Sequence, residues 1–330
     1  MKHIVSRFSF SYTKPQSWGG LARRLGGLAL LLGLAGSAQA AVIYTVGTIG
    51  ADYPTITAAL AAVPATLGQD YELRLLDASY TEDVLLTKTG SATNTLTIRP
   101  AAGVSTVLTG TFTFGAGSAY ATLSGNNGTV ARALTLRQPS LTAPAVAFGG
   151  DASYNVVREA TVLGSNTLLT SGVVVVGSGA VAGNDYNTLT ECFVGNADPA
   201  QLPANLVYAA STSGVNDGFS LTNCELFNFD RTGVLVSTGN GNRWTISNNS
   251  FYYNAAALPT TAQTGVDFRP GAIANDAMVS GNFIGGQAAG ATVGTWTNAG
   301  TQNFRGIVMS CGSSTVLTNE VMFQYVYEKY

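Results

Sequence analysis

A short strand pattern returns along this chain at a nearly constant spacing, and that recurrence limits the available folds more than any other feature. An apolar residue, Thr or Ser, a turn residue and a further apolar residue occur as Leu189-Thr190-Glu191-Cys192-Phe193 and Leu221-Thr222-Asn223-Cys224. They return as Ile246-Ser247-Asn248-Asn249-Ser250-Phe251, Val279-Ser280-Gly281-Asn282-Phe283 and Leu317-Thr318-Asn319, and a degenerate copy starts at Val157. The successive spacings are 32, 32, 25, 33 and 38 residues. A second motif interleaves with the first, as Gly172-Val173-Val174-Val175, Gly233-Val234-Leu235-Val236, Gly265-Val266-Asp267-Phe268 and Gly306-Ile307-Val308-Met309. Its first gap, 61 residues, is two units long, and Asn205-Leu206-Val207-Tyr208 fills the missing rung. Each unit is therefore a set of short β segments of alternating polarity broken by Asn and Gly. No unit can bury its apolar face alone, but units stacked in register cover one another, which is the logic of a solenoid.

The third position of the first motif is Asn, Asn, Gly and Asn in four of its five clear copies. These residues tolerate the left-handed backbone of a sharp corner, so they are expected to be structural rather than ligating. Helical repeats need amphipathic helices, and no such pattern is visible after residue 70. A propeller blade runs to about 40–50 residues with four strands, a poor match to these shorter units. At about 30 residues per coil the chain supplies about nine coils of an all-β fold.

Only 10% of the 330 residues are charged, against about 25% in ordinary domains. Yet 46% are hydrophobic, so a real core is affordable and the surface must be made of uncharged polar groups. Residues 1–40 read as a secretory leader: Lys2, Arg7, Lys14, Arg23 and Arg24 precede an apolar stretch from Leu25 to Gly36. Ala38 and Ala40 then bracket Gln39, which predicts a mature start at Ala41 and a single domain over 41–330. Removing the leader takes five of the 16 basic residues and the only histidine, His3, but none of the 18 acids. The mature charge is thus 11 − 18 = −7. A nucleic-acid surface is disfavoured, and chemistry that needs histidine is excluded. No integral membrane segment is expected once the leader is gone.

The repeats over 150–324, above all Trp244-Thr245-Ile246-Ser247-Asn248-Asn249-Ser250-Phe251, resemble the right-handed parallel β-helix repeat family of the pectin-lyase-like superfamily. The mature start, Tyr44-Thr45-Val46-Gly47 and then Gly50-Ala51-Asp52-Tyr53-Pro54-Thr55-Ile56, is similar to the opening of pectinesterase-like members. So is Ala78-Ser79-Tyr80-Thr81-Glu82. The resemblance implies a right-handed parallel β-helix whose first coil is covered by a short helix. Locally, Pro54 suits a first helical position, and Ile56, Leu60 and Val63 form an apolar stripe within a cap near 54–66.

The architecture hosts unrelated activities, so function must come from residues. The later pectinesterase signatures are missing, and polygalacturonase-like hydrolases are disfavoured by the lack of histidine, which Asn216-Asp217-Gly218 does not offset. The strongest constellation lies on the Gly-Val strand. If Val234, Val236 and Val266 face inward, then Arg231, Asp267 and Arg269 face outward on adjacent coils, with Asp230 at the same corner. Arg231, Asp267 and Arg269 are the candidate catalytic groups; a solvated ion pair is the plainer alternative. Asp230, Tyr252 and Tyr253 are the candidate substrate contacts. Cys192 and Cys224 occupy equivalent positions, and the expectation is a buried thiol ladder rather than a disulfide framework.

The leading expectation is a secreted or cell-surface protein that recognises polysaccharide without demonstrable catalysis. A polysaccharide lyase or pectinesterase-like enzyme is the alternative, and a structural or adhesive surface protein is the second. No cofactor is evident; Ca²⁺ enters only under the lyase alternative. The chain stops at Tyr330 soon after a strand-like run over 321–327. Either it is truncated, or its open last coil associates end to end with another subunit.

Overall fold

The computed structural model describes residues 40–311, apart from 241, 272–275 and 300–301. The expected leader (but for its last residue), the Leu317-Thr318-Asn319 copy and the run over 321–327 lie outside the described residues. Three parallel sheets wind around one interior. Sheet 1 has nine strands, from Val42–Val46 to Met278–Ser280. Sheet 2 has eight, from Ser79–Thr81 to Phe283–Ile284, and sheet 3 has eight, from Val84–Leu86 to Phe304–Cys311. Every turn visits the sheets in the order 1, 2, 3, so the chain is a parallel β-solenoid. There are eight complete turns among the described residues, and the extra strand of sheet 1 accounts for the ninth coil expected from length.

The first motif marks the register of sheet 1. Val157, Leu189, Leu221, Ile246 and Val279 pair in succession, all facing the interior. Each is followed by a two-residue corner into sheet 2 whose first member is left-handed. Its φ is 49° at Glu159, 56° at Glu191, 55° at Asn223, 57° at Asn248 and 63° at Gly281. Glutamate does not favour this region, so the stack imposes the corner even where the residue does not help. In sheet 3, Asn205–Ala209 fills the missing rung, pairing Val207 with Val234, and Val234 in turn pairs with Val266. One copy is offset: Val174, not Val173, meets Val207, so Gly172 stands one residue out of step with Gly233.

The interior carries an aromatic column. Ring centroids are 5.0 Å apart for Phe112 and Phe114, 4.9 Å for Phe114 and Phe148, and 4.9 Å for Phe219 and Trp244. Each such side chain contributes roughly 1.5–3 kcal/mol by burial. Buried asparagines serve the corners, where ladder partners run out. The Asn155 backbone N–H donates to Asn187 Oδ1 at 3.0 Å, and that of Asn249 to Asn282 Oδ1 at 3.0 Å. Cys192 and Cys224 are free, buried and stacked, with the Cys192 N–H on Cys224 Sγ at 3.4 Å, which is the expected thiol ladder.

A seven-residue helix, Ile56–Ala62, sits at the start of the solenoid with Ile56, Leu60 and Val63 buried. Pro54 precedes the helix instead of opening it. Thr55 takes the N-cap position because its hydroxyl accepts the Ala58 N–H at 3.1 Å, a bond proline cannot supply. Glu82, one coil on, accepts the Ile56 and Thr57 N–H groups at 2.8 and 3.0 Å and completes the cap.

Candidate functional site

The six residues singled out from sequence do not form one site. Asp267 faces outward between Leu235 and Val308, but it is only 6% exposed. Its carboxylate is held by both Nε and Nη2 of Arg269, two residues along the same strand. Arg231 is exposed at the other end of the neighbouring strand, just before Thr232, which pairs with Thr264. Asp267 lies three steps along the strand from Thr264, about 10 Å. The expected catalytic grouping of Arg231 with Asp267 and Arg269 is therefore not assembled. Tyr252 and Tyr253 are buried rather than presented to a sugar. The Tyr252 hydroxyl donates to Glu225 at 2.9 Å, and the Tyr253 hydroxyl donates to the Ala257 carbonyl. Burial raises both phenols well above their usual range.

Asp230 and Arg231 do stand in a cleft, at the corner from sheet 2 to sheet 3. Loop lengths make it. The short connection at 228–231 lies between the longer ones at 197–204 and 253–262, so its coil forms a floor between two walls. The groove has a volume of about 360 Å³. Asn228 fixes the floor, its amide donating to Asn196 at 3.0 Å and to Asn254 at 2.9 Å.

A second concentration of polar groups lies at the corner from sheet 3 into sheet 1. Tyr120, Tyr154 and Tyr186 occupy one position in successive coils, with φ of 56°, 58° and 54°. Their rings stack at 4.9 and 5.0 Å, with interplanar angles of 6° and 12°. The faces thus cover one another, and the edges and hydroxyls form a row toward solvent, with Tyr154 44% exposed. In the next coil this position is Gly218, where a Cβ would come within 2.3 Å of the Tyr186 ring. Beyond it, Arg243 Nη1 donates to the Tyr186 hydroxyl at 2.5 Å. The row continues into half-buried hydroxyls on the outer face of sheet 1, Thr188, Ser220 and Thr245 in one column and Thr190 and Thr222 in the next, which ends at the buried Ser247.

Beside the row, Asp185 and Asp217 stand one coil apart and half-buried, with the Asp217 N–H on Asp185 Oδ1 at 2.9 Å. Burial raises the Asp185 carboxyl, opposed by that N–H and reinforced by Asp151. Burial also raises Asp217, and the Asp185 charge adds to it against Asn242 and Arg243. Asp217 Oδ1 is buried without a hydrogen-bond partner. Asp151 differs: burial pushes its carboxyl up, but N–H groups of Gly183, Val181, Ala180 and Ala182 outweigh that and hold it below its usual range. A half-buried acid pair beside a tyrosine hydroxyl and a guanidinium can share a proton, take hydrogen bonds from a polyol, or both.

The sequence held a signal for this corner. Ser153-Tyr154-Asn155, Asp185-Tyr186-Asn187 and Asp217-Gly218-Phe219 follow the same 32-residue spacing that aligns Leu189 with Leu221. No group of three or more His, Cys, Asp or Glu side chains placed to hold a metal occurs among the described residues. Comparison with models of known protein families, with curated proteins and with solved structures finds no match to this chain.

Proposed function

We propose that this is a secreted or cell-surface β-solenoid that recognises a polysaccharide along sheet 1 and its tyrosine-lined corner. The observation that carries the reading is the row of Tyr120, Tyr154 and Tyr186 running into the outward Thr and Ser columns. Hydroxyls donate and accept alike, and on a regular sheet they recur once per coil at about 4.8 Å. Such a surface matches an extended chain of sugar hydroxyls. The net charge of −7 without the leader favours this over a nucleic-acid partner. Placement in the pectin-lyase-like superfamily belongs to the same proposal, supported by the helical cap and the strand repeat.

Retardation of the purified protein in gels containing neutral or acidic polysaccharides tests the reading. At least one polymer is expected to retard the protein, with Tyr154→Ala and Tyr186→Ala weakening retardation. Unretarded migration in every gel would discard it in favour of an adhesive or structural role.

One observation favours an enzyme as the second reading: the raised Asp185 and Asp217 carboxyls beside Tyr186 and Arg243. Paired carboxyls of this kind suit glycoside hydrolysis, one as acid and its neighbour as base or nucleophile. The test is release of new reducing ends from whichever polymer binds, abolished by Asp217→Asn. Calcium-assisted elimination through Asp267 with Arg231 or Arg269 is less favoured, because Asp267 is covered and paired.

A further inference from the structure

The groove at the corner from sheet 2 to sheet 3 differs in chemistry from the tyrosine corner. Its floor holds Asp230 and Arg231, whose Oδ2 and Nε are 3.9 Å apart. That is too far for a hydrogen bond and close enough for one bridging oxygen to serve both. Both backbones are fixed: the N–H groups of Asp230 and Arg231 donate to Pro203 and Ala204 at 2.9 and 3.0 Å. The Thr261 hydroxyl donates to the Asp230 carbonyl at 2.7 Å. The Tyr253 hydroxyl, through the Ala257 carbonyl, pins the wall that carries Leu258. This is a formed cleft rather than a gap between loose loops.

The solvent-facing walls are mainly polar, with two exposed leucines set into them. Leu169 on one side is 55% exposed and Leu258 on the other 39%. Gln201, Thr167 and Thr260 add groups that donate and accept. A free anion would meet the Asp230 carboxylate beside Arg231, and a purely apolar ligand would strand both charges without partners. A neutral sugar satisfies both surfaces. One hydroxyl donates to Asp230 while accepting from Arg231, and the C–H faces of the ring pack on the leucines. The volume of about 360 Å³ lies at the lower end of the range for small-molecule sites, about 300–1,000 Å³.

We propose that this groove is a separate subsite for a short neutral oligosaccharide or the neutral end of a longer chain. The inference rests on the glycan reading but uses other residues, so the two can fail separately. Titration calorimetry of the purified protein with neutral tetrasaccharides of glucose, mannose, galactose and xylose, and with a galacturonate tetramer, tests it. At least one neutral tetrasaccharide is expected to bind, with affinity reduced tenfold or more by Arg231→Ala and by Asp230→Ala. Leu85→Ala, on the outer face of sheet 3, is expected to leave this affinity unchanged. The galacturonate tetramer is expected to bind more weakly than the best neutral ligand. The inference is overturned by no neutral binding, by affinity indifferent to both groove variants, or by a preference for galacturonate. Polymer retardation lost in Tyr154→Ala alongside a negative titration would remove the groove and keep the glycan reading. Neutral binding confined to the groove, with no polymer retarded, would do the reverse.

Discussion

Replacing Asp217 by asparagine should stabilise the protein, although Asp217 stands in a candidate functional site. Adjacent coils place equivalent atoms about 4.8 Å apart. Two carboxylates at that distance repel by ~0.9 kcal/mol in water and ~3.5 kcal/mol at an effective dielectric constant of about 20. Asp185 and Asp217 are both half-buried, so screening lies between these limits and a gain of about 1–2 kcal/mol is expected. The new amide can also donate to Asp185, as the buried asparagines of the same corner do for their neighbours. The sign with pH follows from the raised carboxyl. The folded state keeps its proton where the unfolded chain has lost it, so stability falls as pH rises through that interval and stays reduced above it. The advantage of Asp217→Asn is therefore present at about pH 7 and vanishes at about pH 3, below the ordinary aspartate value. Urea unfolding at both pH values measures it. An unchanged or lower midpoint at neutral pH, or an equal gain at acid pH, would refute this account of the corner.

Other consequences concern the interior and the cap. Asn187→Ala orphans the Asn155 N–H and the Ala152 carbonyl, so a loss of about 2–5 kcal/mol is expected in denaturant titration. A loss below about 1 kcal/mol would mean that the ladder does not hold the corner. Burial raises the Cys224 thiol well above its usual range. Cys192 and Cys224 are both buried, so they should resist a disulfide-exchange reagent in the native protein and react only on unfolding. Glu82→Ala removes the acceptor at the start of the helix and should lower stability by about 1 kcal/mol, with faster amide exchange at Ile56 and Thr57 as the specific readout.

The fold was legible because solenoid stacking repeats one requirement in every coil. Leu189, Leu221, Ile246 and Val279 had to be apolar for the same reason, and their spacing revealed the register before any coordinate did. The corners were legible for a related reason, since Asn223, Asn248 and Gly281 suit a left-handed backbone. The site was harder to read. Strand parity says which side chains face outward, and it correctly turned Asp267 out. It is silent on what a neighbour does next, and Arg269 folds back over that carboxylate. Parity also stops at the end of a strand, so Tyr253, in a loop, was free to turn inward and pack against Trp296. The groove depends on loops from four successive coils, which meet only when stacked. The tyrosine row was present at the repeat spacing, but its meaning required knowing that one corner position recurs in space.

The most direct test of polysaccharide recognition is hydroxyl-radical footprinting of the protein with and without the polymer that retards it. Tyr120, Tyr154 and Tyr186 should lose reactivity together when the polymer is bound. Tyr208 and Leu85 on the outer face of sheet 3 should not change. Protection centred on sheet 3, or unchanged oxidation of the tyrosine row under saturating polymer, would contradict the assignment of sheet 1 and its corner as the binding face.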